Sequence, residues 1–237
     1  MFKKILTLLM PMTLILSITA CGGSDINSSS GGGNSSASSD SGFSADLKSQ
    51  IQNCTPIVDY AKNTSVDQMD TVTFGLDSYG EPIEWIVLEK RSDKALLLSK
   101  YLIGRYYYNE DMVDGITWEN SDVRKWLNED FINEIFSKKE QKLIIVSDVV
   151  NEDNVEWGGI GGNDTKDKLF LLSSEEVKKY FASEKQRVWE EPVSGSWWLR
   201  SPLFGHYHEK ITYTGKIESD PLGPGGNAAG RGGQGEH

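Results

Sequence analysis

Between Gly22 and Gly42, 15 of 21 residues are serine or glycine, and no aromatic residue interrupts them. Such a stretch buries too little apolar surface to offset the entropy of ordering it, so it reads as a flexible tether. It divides the 237-residue chain into a short N-terminal leader and one body long enough for a single core. At about 5–6 Å times the square root of its residue number, the tether spans roughly 25 Å.

The leader has the layout of a secretory signal: Lys3 and Lys4, the apolar run Ile5 to Ile18, then small residues ending at Ala20-Cys21. The run is short for a transmembrane helix, and Pro11 would kink it. Ile18-Thr19-Ala20-Cys21, followed by Gly22-Gly23-Ser24, resembles the bacterial lipoprotein box. That resemblance implies lipidation at Cys21, cleavage before it, and a body held by acyl chains at the extracytoplasmic face of a bacterial envelope. The alternative is an ordinary cleaved signal with Cys21 merely nearby. Beyond the leader no apolar run reaches the roughly 18–20 residues that cross a bilayer.

Charge narrows the partners. Asp and Glu number 35 against 24 Lys and Arg, a formal charge of -11, with a pI of about 4.8. An acidic body argues against nucleic acid, whose binding needs a basic face. Cleavage before Cys21 removes Lys3 and Lys4 and takes the charge from -11 by two, to -13. The body is then repelled by anionic lipid and stands off the membrane. Two cysteines are too few for a disulfide framework, which leaves Cys54 as a free thiol on an apolar helix stripe.

The sequence divides into a leader (1–20), tether (21–42), amphipathic helix (43–64), α+β domain (65–222) and glycine-rich tail (223–237). In 43–64 the apolar residues Leu47, Ile51, Cys54, Ile57, Val58 and Ala61 recur at spacings of three and four, limited by Pro56. Thr71–Phe74, Ile83–Glu89 and Ala95–Ser99 predict an antiparallel meander. Ser121 predicts an N-cap for a run from Val123 to Phe136, interrupted at Asn128. A strand over Leu143–Val150 is followed by a long polar loop and a strand over Lys168–Leu172. Ser173 with Glu176 then forms a capping box for a helix to Phe181. Strands, then helices, then strands indicate an α+β fold with an antiparallel sheet and short helices.

The phrases Phe74-Gly75, Ile83-Glu84-Trp85, Leu96-Leu97-Leu98-Ser99, Thr117-Trp118-Glu119, Val123 to Asn128, Lys168 to Ser173 and Trp197-Trp198-Leu199-Arg200-Ser201-Pro202 resemble, in order, an uncharacterised domain family of bacterial extracytoplasmic proteins and lipoproteins. The resemblance covers about residues 70 to 220. In plan it is also similar, more remotely, to formylglycine-generating enzymes and C-type lectins. It implies a fold and a location but no reaction. Members of the family close with a Gly-Val-Arg-Pro-Ala strand, whereas residues 223–237 hold 7 glycines and no aliphatic run. The expectation is a missing last strand and an uncovered sheet edge.

Adjacent Trp197 and Trp198 must face opposite sides of a strand, so one is expected in the core and the other in the core, a groove or solvent. Trp197, Trp198 and Arg200 are candidates for binding a ligand, the alternative being that both rings pack and Arg200 satisfies a buried carboxylate or carbonyl. Tyr107, within Tyr106-Tyr107-Tyr108, is a second candidate for a ligand surface. His206, His208 and Glu209 offer three metal ligands but no fourth partner, so no metal is expected. Asn151-Glu152-Asp153-Asn154 and Asn163-Asp164 offer oxygens for calcium without EF-hand spacing. Gly-x-Ser-x-Gly, phosphate loops and zincin helices are absent, and no cofactor is expected. The formylglycine enzymes rely on cysteines in the catalytic domain, and this chain has none after Cys54. The reading is a binding domain for a glycan, cell-wall or protein ligand. The alternatives are an envelope enzyme of unknown class or a truncated family member without function.

Overall fold

A computed structural model describes residues 9–10, 13–17, 37–188 and 195–221. Cys21 and the tail 223–237 lie outside the described residues, and no helix among those described is long and apolar enough to cross a membrane.

Two strands come first, β1 (Leu9–Met10) and β2 (Thr13–Ser17), then helix α1 (Ala37–Asn53). The helix begins inside the stretch expected to be tether and stops before Pro56, which cannot continue it. Its Leu47 and Ile51, with Cys54 just beyond, are buried. Ile57, Val66 and Met69 on the turns that follow are buried too, so residues 43–64 share the core of the body and are no separate appendage.

The expected meander is present as β3 (Val72–Leu76), β4 (Pro82–Lys90) and β5 (Lys94–Ser99), paired antiparallel. After β6 (Gly104–Arg105), α2 (Asp122–Trp126) passes through a π-helical turn at Leu127–Phe131 into α3 (Ile132–Ile135). Asn128 sits in that turn because its amide serves outside the helix: Nδ2 donates to Leu169 O, and Oδ1 accepts from the amides of Lys168 and Leu169. Short strands follow: β7 (Ile144–Ile145), β8 (Ser147–Val149), β9 (Thr165–Asp167) and β10 (Leu169–Phe170). Helix α4 (Ser174–Tyr180) carries the predicted capping box. Strands β11 (Trp197–Pro202), β12 (Tyr207–Ile211) and β13 (Ile217–Pro221) form a second antiparallel sheet.

The central sheet runs β10-β2-β5-β4-β3, with β7 also on β2. Alternation along its strands feeds two cores, because successive side chains leave opposite faces. Trp85 and Val87 of β4 pack with α1 and the helices α2 and α3, while Ile86 and Leu88 pack with α4 and the turns at 57–69. The molecule is an α+β fold of antiparallel sheets and short helices, covered on both faces.

Candidate functional site

A cleft of about 510 Å³ opens where the loop after β8 meets the first turn of α4 and the strands β11 and β12. Its walls are held locally. On the loop, Asn154 and Gly159 exchange backbone bonds at 2.8 and 3.1 Å, the Gly161 amide donates to Asp153 Oδ1 at 2.8 Å, and the Asn151 amide donates to Asp164 Oδ1 at 2.9 Å. A Cβ on Gly159 would lie 2.4 Å from Pro202 O, and one on Gly161 would lie 2.0 Å from Asn151 O. Only glycine permits these approaches, which explains Gly159 and Gly161. Asp153 Oδ1 and Asp164 Oδ1 cap the loop's own backbone, and Asn151 Nδ2 donates to Asn163 O, so these side chains brace the loop.

On the helical side, Ser173 caps α4 through its hydroxyl, and Glu176 Oε2 accepts from the Ser173 amide at 2.9 Å. The same carboxylate receives Arg200 Nη1. Arg200 is only 5% exposed and bridges three elements: Nη1 also donates to Leu171 O at 2.7 Å, and Nη2 donates to Val150 O at 3.1 Å. Beside it the Ser174 amide donates to Ser201 Oγ at 2.9 Å, and the two hydroxyls lie 3.1 Å apart.

Glu209 completes the lining from β12. It is 8% exposed, and burial pushes its carboxyl above the ordinary carboxylate value, against the pull of Ser174, Lys178 and Asn154. Glu209 Oε2, Asn151 Oδ1 and Arg200 Nε are buried without a hydrogen-bond partner among the described residues, and all three residues line the cleft. Six carboxylates and three basic side chains surround it, so its field disfavours anions. Chemically the cleft offers unspent donors and acceptors of both kinds, plus one carboxyl whose proton affinity burial raises.

The other sequence candidates fall elsewhere. Trp197 and Trp198 do face opposite sides, but both sides are core. Trp197 packs with Phe181 and Trp198 meets Tyr108 edge-on, so neither offers a ring to a groove. Of the alternatives, core, groove or solvent, the double cover of the strand puts both rings in the core. Tyr107 is half-buried and does not line the cleft. Tyr106 stacks on Trp126, and Tyr108 is buried with its hydroxyl 3.5 Å from Arg200 O. Of Trp197, Trp198, Tyr107 and Arg200, only Arg200 lines the cleft.

The histidines separate because His206 precedes β12 in a turn, where its Nδ1 lies 3.0 Å from Asp114 Oδ1. His208 is buried against Tyr108 with Nε2 2.9 Å from Ile116 O, and burial pushes its imidazole down to about 4. Among the described residues no three His, Cys, Asp or Glu side chains gather as metal ligands. Cys54 is buried, and its thiol is pushed up by that burial. Sequence reasoning missed Ser174; it met Asn151 only as a calcium donor, Ser201 only within its motif, and Glu209 only as a metal-ligand candidate beside His206 and His208. It also missed Trp157, which is 59% exposed and follows the cleft-lining Glu156.

A protein-family model described as "Domain of unknown function (DUF6273)" matches residues 92–222. No curated protein and no solved structure matches the chain.

Proposed function

We propose, from the premise that this chain belongs to the DUF6273 family of domains of unknown function, that it is a lipid-anchored binding protein of a bacterial cell envelope. The cleft between the 150–156 loop, α4 and β11 takes a neutral, hydroxyl-rich ligand of the glycan or cell-wall sugar kind. The observation that carries this reading is the set of unspent polar atoms on Glu209, Asn151 and Arg200 in one cleft. Sugars present closely spaced hydroxyls that both donate and accept, which fits such a mixed lining. The carboxylate excess supports a neutral ligand over a phosphate or nucleic acid. Exposed Trp157, beside the cleft-lining Glu156, supplies a ring face for a sugar. The leader, Cys21 and the tether support an anchor through N-terminal lipid and a domain held off the bilayer.

The test is a thermal-melt series of the detergent-extracted chain against neutral cell-wall oligosaccharides, with anionic oligosaccharides alongside. A specific ligand raises the melting temperature by mass action. We expect a rise with a neutral sugar that Glu209→Gln and Trp157→Ala each reduce. No rise with any glycan, or an equal rise in Glu209→Gln, overturns the cleft as the binding site.

One observation favours a second reading. A buried carboxyl with a raised pKa in a cleft is what an envelope hydrolase needs as a general acid, and Glu209 is such a group. New reducing ends released from a bound oligosaccharide, and their loss in Glu209→Gln, would decide for catalysis.

A further inference from the structure

The strand that completes the central sheet comes from the stretch read as a cleavable leader. β2 lies in the sheet's interior, and its five residues pair antiparallel with β5 from Thr13 opposite Leu98 to Ser17 opposite Lys94. On its other edge Thr13 and Leu14 pair with β10, and Ile15 and Leu16 pair with β7. Among the described residues no other strand joins β5 to β7 or β10. Cys21 stands four positions beyond Ser17, so cleavage before Cys21 removes β2 whole.

What remains is a gap one strand wide. The backbones on its two sides are two strand spacings apart, about 10 Å, too far to pair with each other. Its flanks hold buried Ala95, Leu97, Leu98, Ile144, Leu169 and Phe170, so an empty gap opens both cores and leaves edge amides and carbonyls without partners. The rest of this sequence has little to refill it with. The tether is serine and glycine, and residues 223–237 hold 7 glycines and no aliphatic run. Both are poor strand formers beside Thr-Leu-Ile-Leu-Ser.

We propose that in the anchored protein this gap is an acceptor site for one extended, uncharged, aliphatic strand, donated antiparallel to β5 by another polypeptide. Thr13–Ser17 holds the place until the leader is removed. The proposal rests on the lipoprotein reading above. Main-chain pairing on both edges supplies the affinity, and the aliphatic flanks select the donor's side chains. The chemistry of the donor follows from the segment now seated there, which carries no charge over five residues.

The test uses the full chain made in a bacterium that processes lipoproteins, beside Cys21→Ala, which lacks the thiol that processing requires. Intact mass reads whether the leader has left. Hydrogen exchange of the β5 amides facing the gap is then followed with and without a synthetic peptide of residues 12–18, flanked by lysines for solubility. A control peptide carries Leu14→Pro and Leu16→Pro, which remove ladder donors. We expect slow exchange in Cys21→Ala and exchange about tenfold faster or more in the processed chain. The native peptide should restore slow exchange and the proline peptide should not.

If the processed chain protects these amides alone, or stays unprotected with peptide, the acceptor site is overturned while the lipoprotein reading stands. If intact mass shows that the native chain keeps its leader, the lipoprotein reading fails first. The gap is then filled by the chain itself, and the proposal falls with it.

Discussion

The guanidinium of Arg200 on β11 holds the carboxylate of Glu176, and that same carboxylate closes the N-terminal cap of α4 by accepting from the Ser173 amide. One side-chain pair thereby fixes the helix, the strand and, through Val150 O, the start of the cleft loop. The pair is part-buried, and removing one partner leaves the other charge poorly solvated.

Arg200→Lys should therefore not be conservative. Lysine has no planar fork to reach Leu171 O, Val150 O and Glu176 together. We expect a loss of about 2–3 kcal/mol, read as a drop of roughly 5–10 °C in melting temperature. Arg200→Ala should melt lower still. Equal melting of wild type and Arg200→Lys would show that the fork holds nothing together.

His208 and Glu209 are neighbours with opposite pH behaviour. The His208 pKa is depressed from 6.5 to about 4, so between those values the unfolded chain binds the extra proton. Its contribution, on the order of 3 kcal/mol, is fully present above pH 6.5 and is lost as pH falls toward 4. Urea melts from pH 4 to 7 should show this limb, and His208→Gln should flatten it. A limb that persists in His208→Gln would assign it to other groups.

For Glu209 the sign reverses, because its carboxyl is raised above 4.5 by burial. The stability it contributes is complete below pH 4.5 and is lost as pH rises through the folded-state value. Glu209→Gln imitates the protonated form. It should melt above wild type at pH 7–8, converge with it near pH 4, and still bind sugar less well. A variant less stable than wild type at neutral pH would mean that the carboxylate is satisfied in the fold.

What could be read from sequence was local. Ser121 and the Ser173–Glu176 box announce their helices because a cap needs only residues three apart. Strands β3 to β5 announce themselves through their apolar runs and turn residues. Trp197 and Trp198 were legible as facing opposite sides, but nothing nearby says that both sides are covered. That depends on Tyr108 and Phe181, which are distant in sequence. The cleft was illegible for the same reason: Asn151 and Glu209 are 58 positions apart. Arg200 is legible because its motif is compact, whereas Glu209 reads in sequence as a metal-ligand partner of His208, whose ring is buried in the core.

Asp167 anchors the helix side of the fold. Its buried carboxylate accepts from Trp118 Nε1 at 2.9 Å, Arg124 Nε at 2.8 Å and Thr165 Oγ1 at 2.6 Å. Asp167→Ala leaves an indole N–H and a guanidinium without their partner, at a cost of about 3–5 kcal/mol. In a double-mutant cycle with Arg124→Met the two losses should be less than additive. Strict additivity in urea melts would show that the two side chains do not act together.

The glycines of the cleft loop separate fold from site. Gly158 has φ of 68° and open space around it, so Gly158→Ala meets only the left-handed backbone penalty, about 1 kcal/mol. Gly161 is the reverse case: its backbone needs no positive φ, but a Cβ would press on Asn151 O at 2.0 Å and Glu152 O at 2.6 Å. Gly161→Ala must push the Asn151 wall into the cleft or away from it, at about 1–3 kcal/mol. Both variants should fold, but only Gly161→Ala should abolish the sugar-induced rise in melting temperature. If Gly158→Ala abolishes it equally, the loop acts through its tip. If neither does, the wall at Asn151 takes no part in binding.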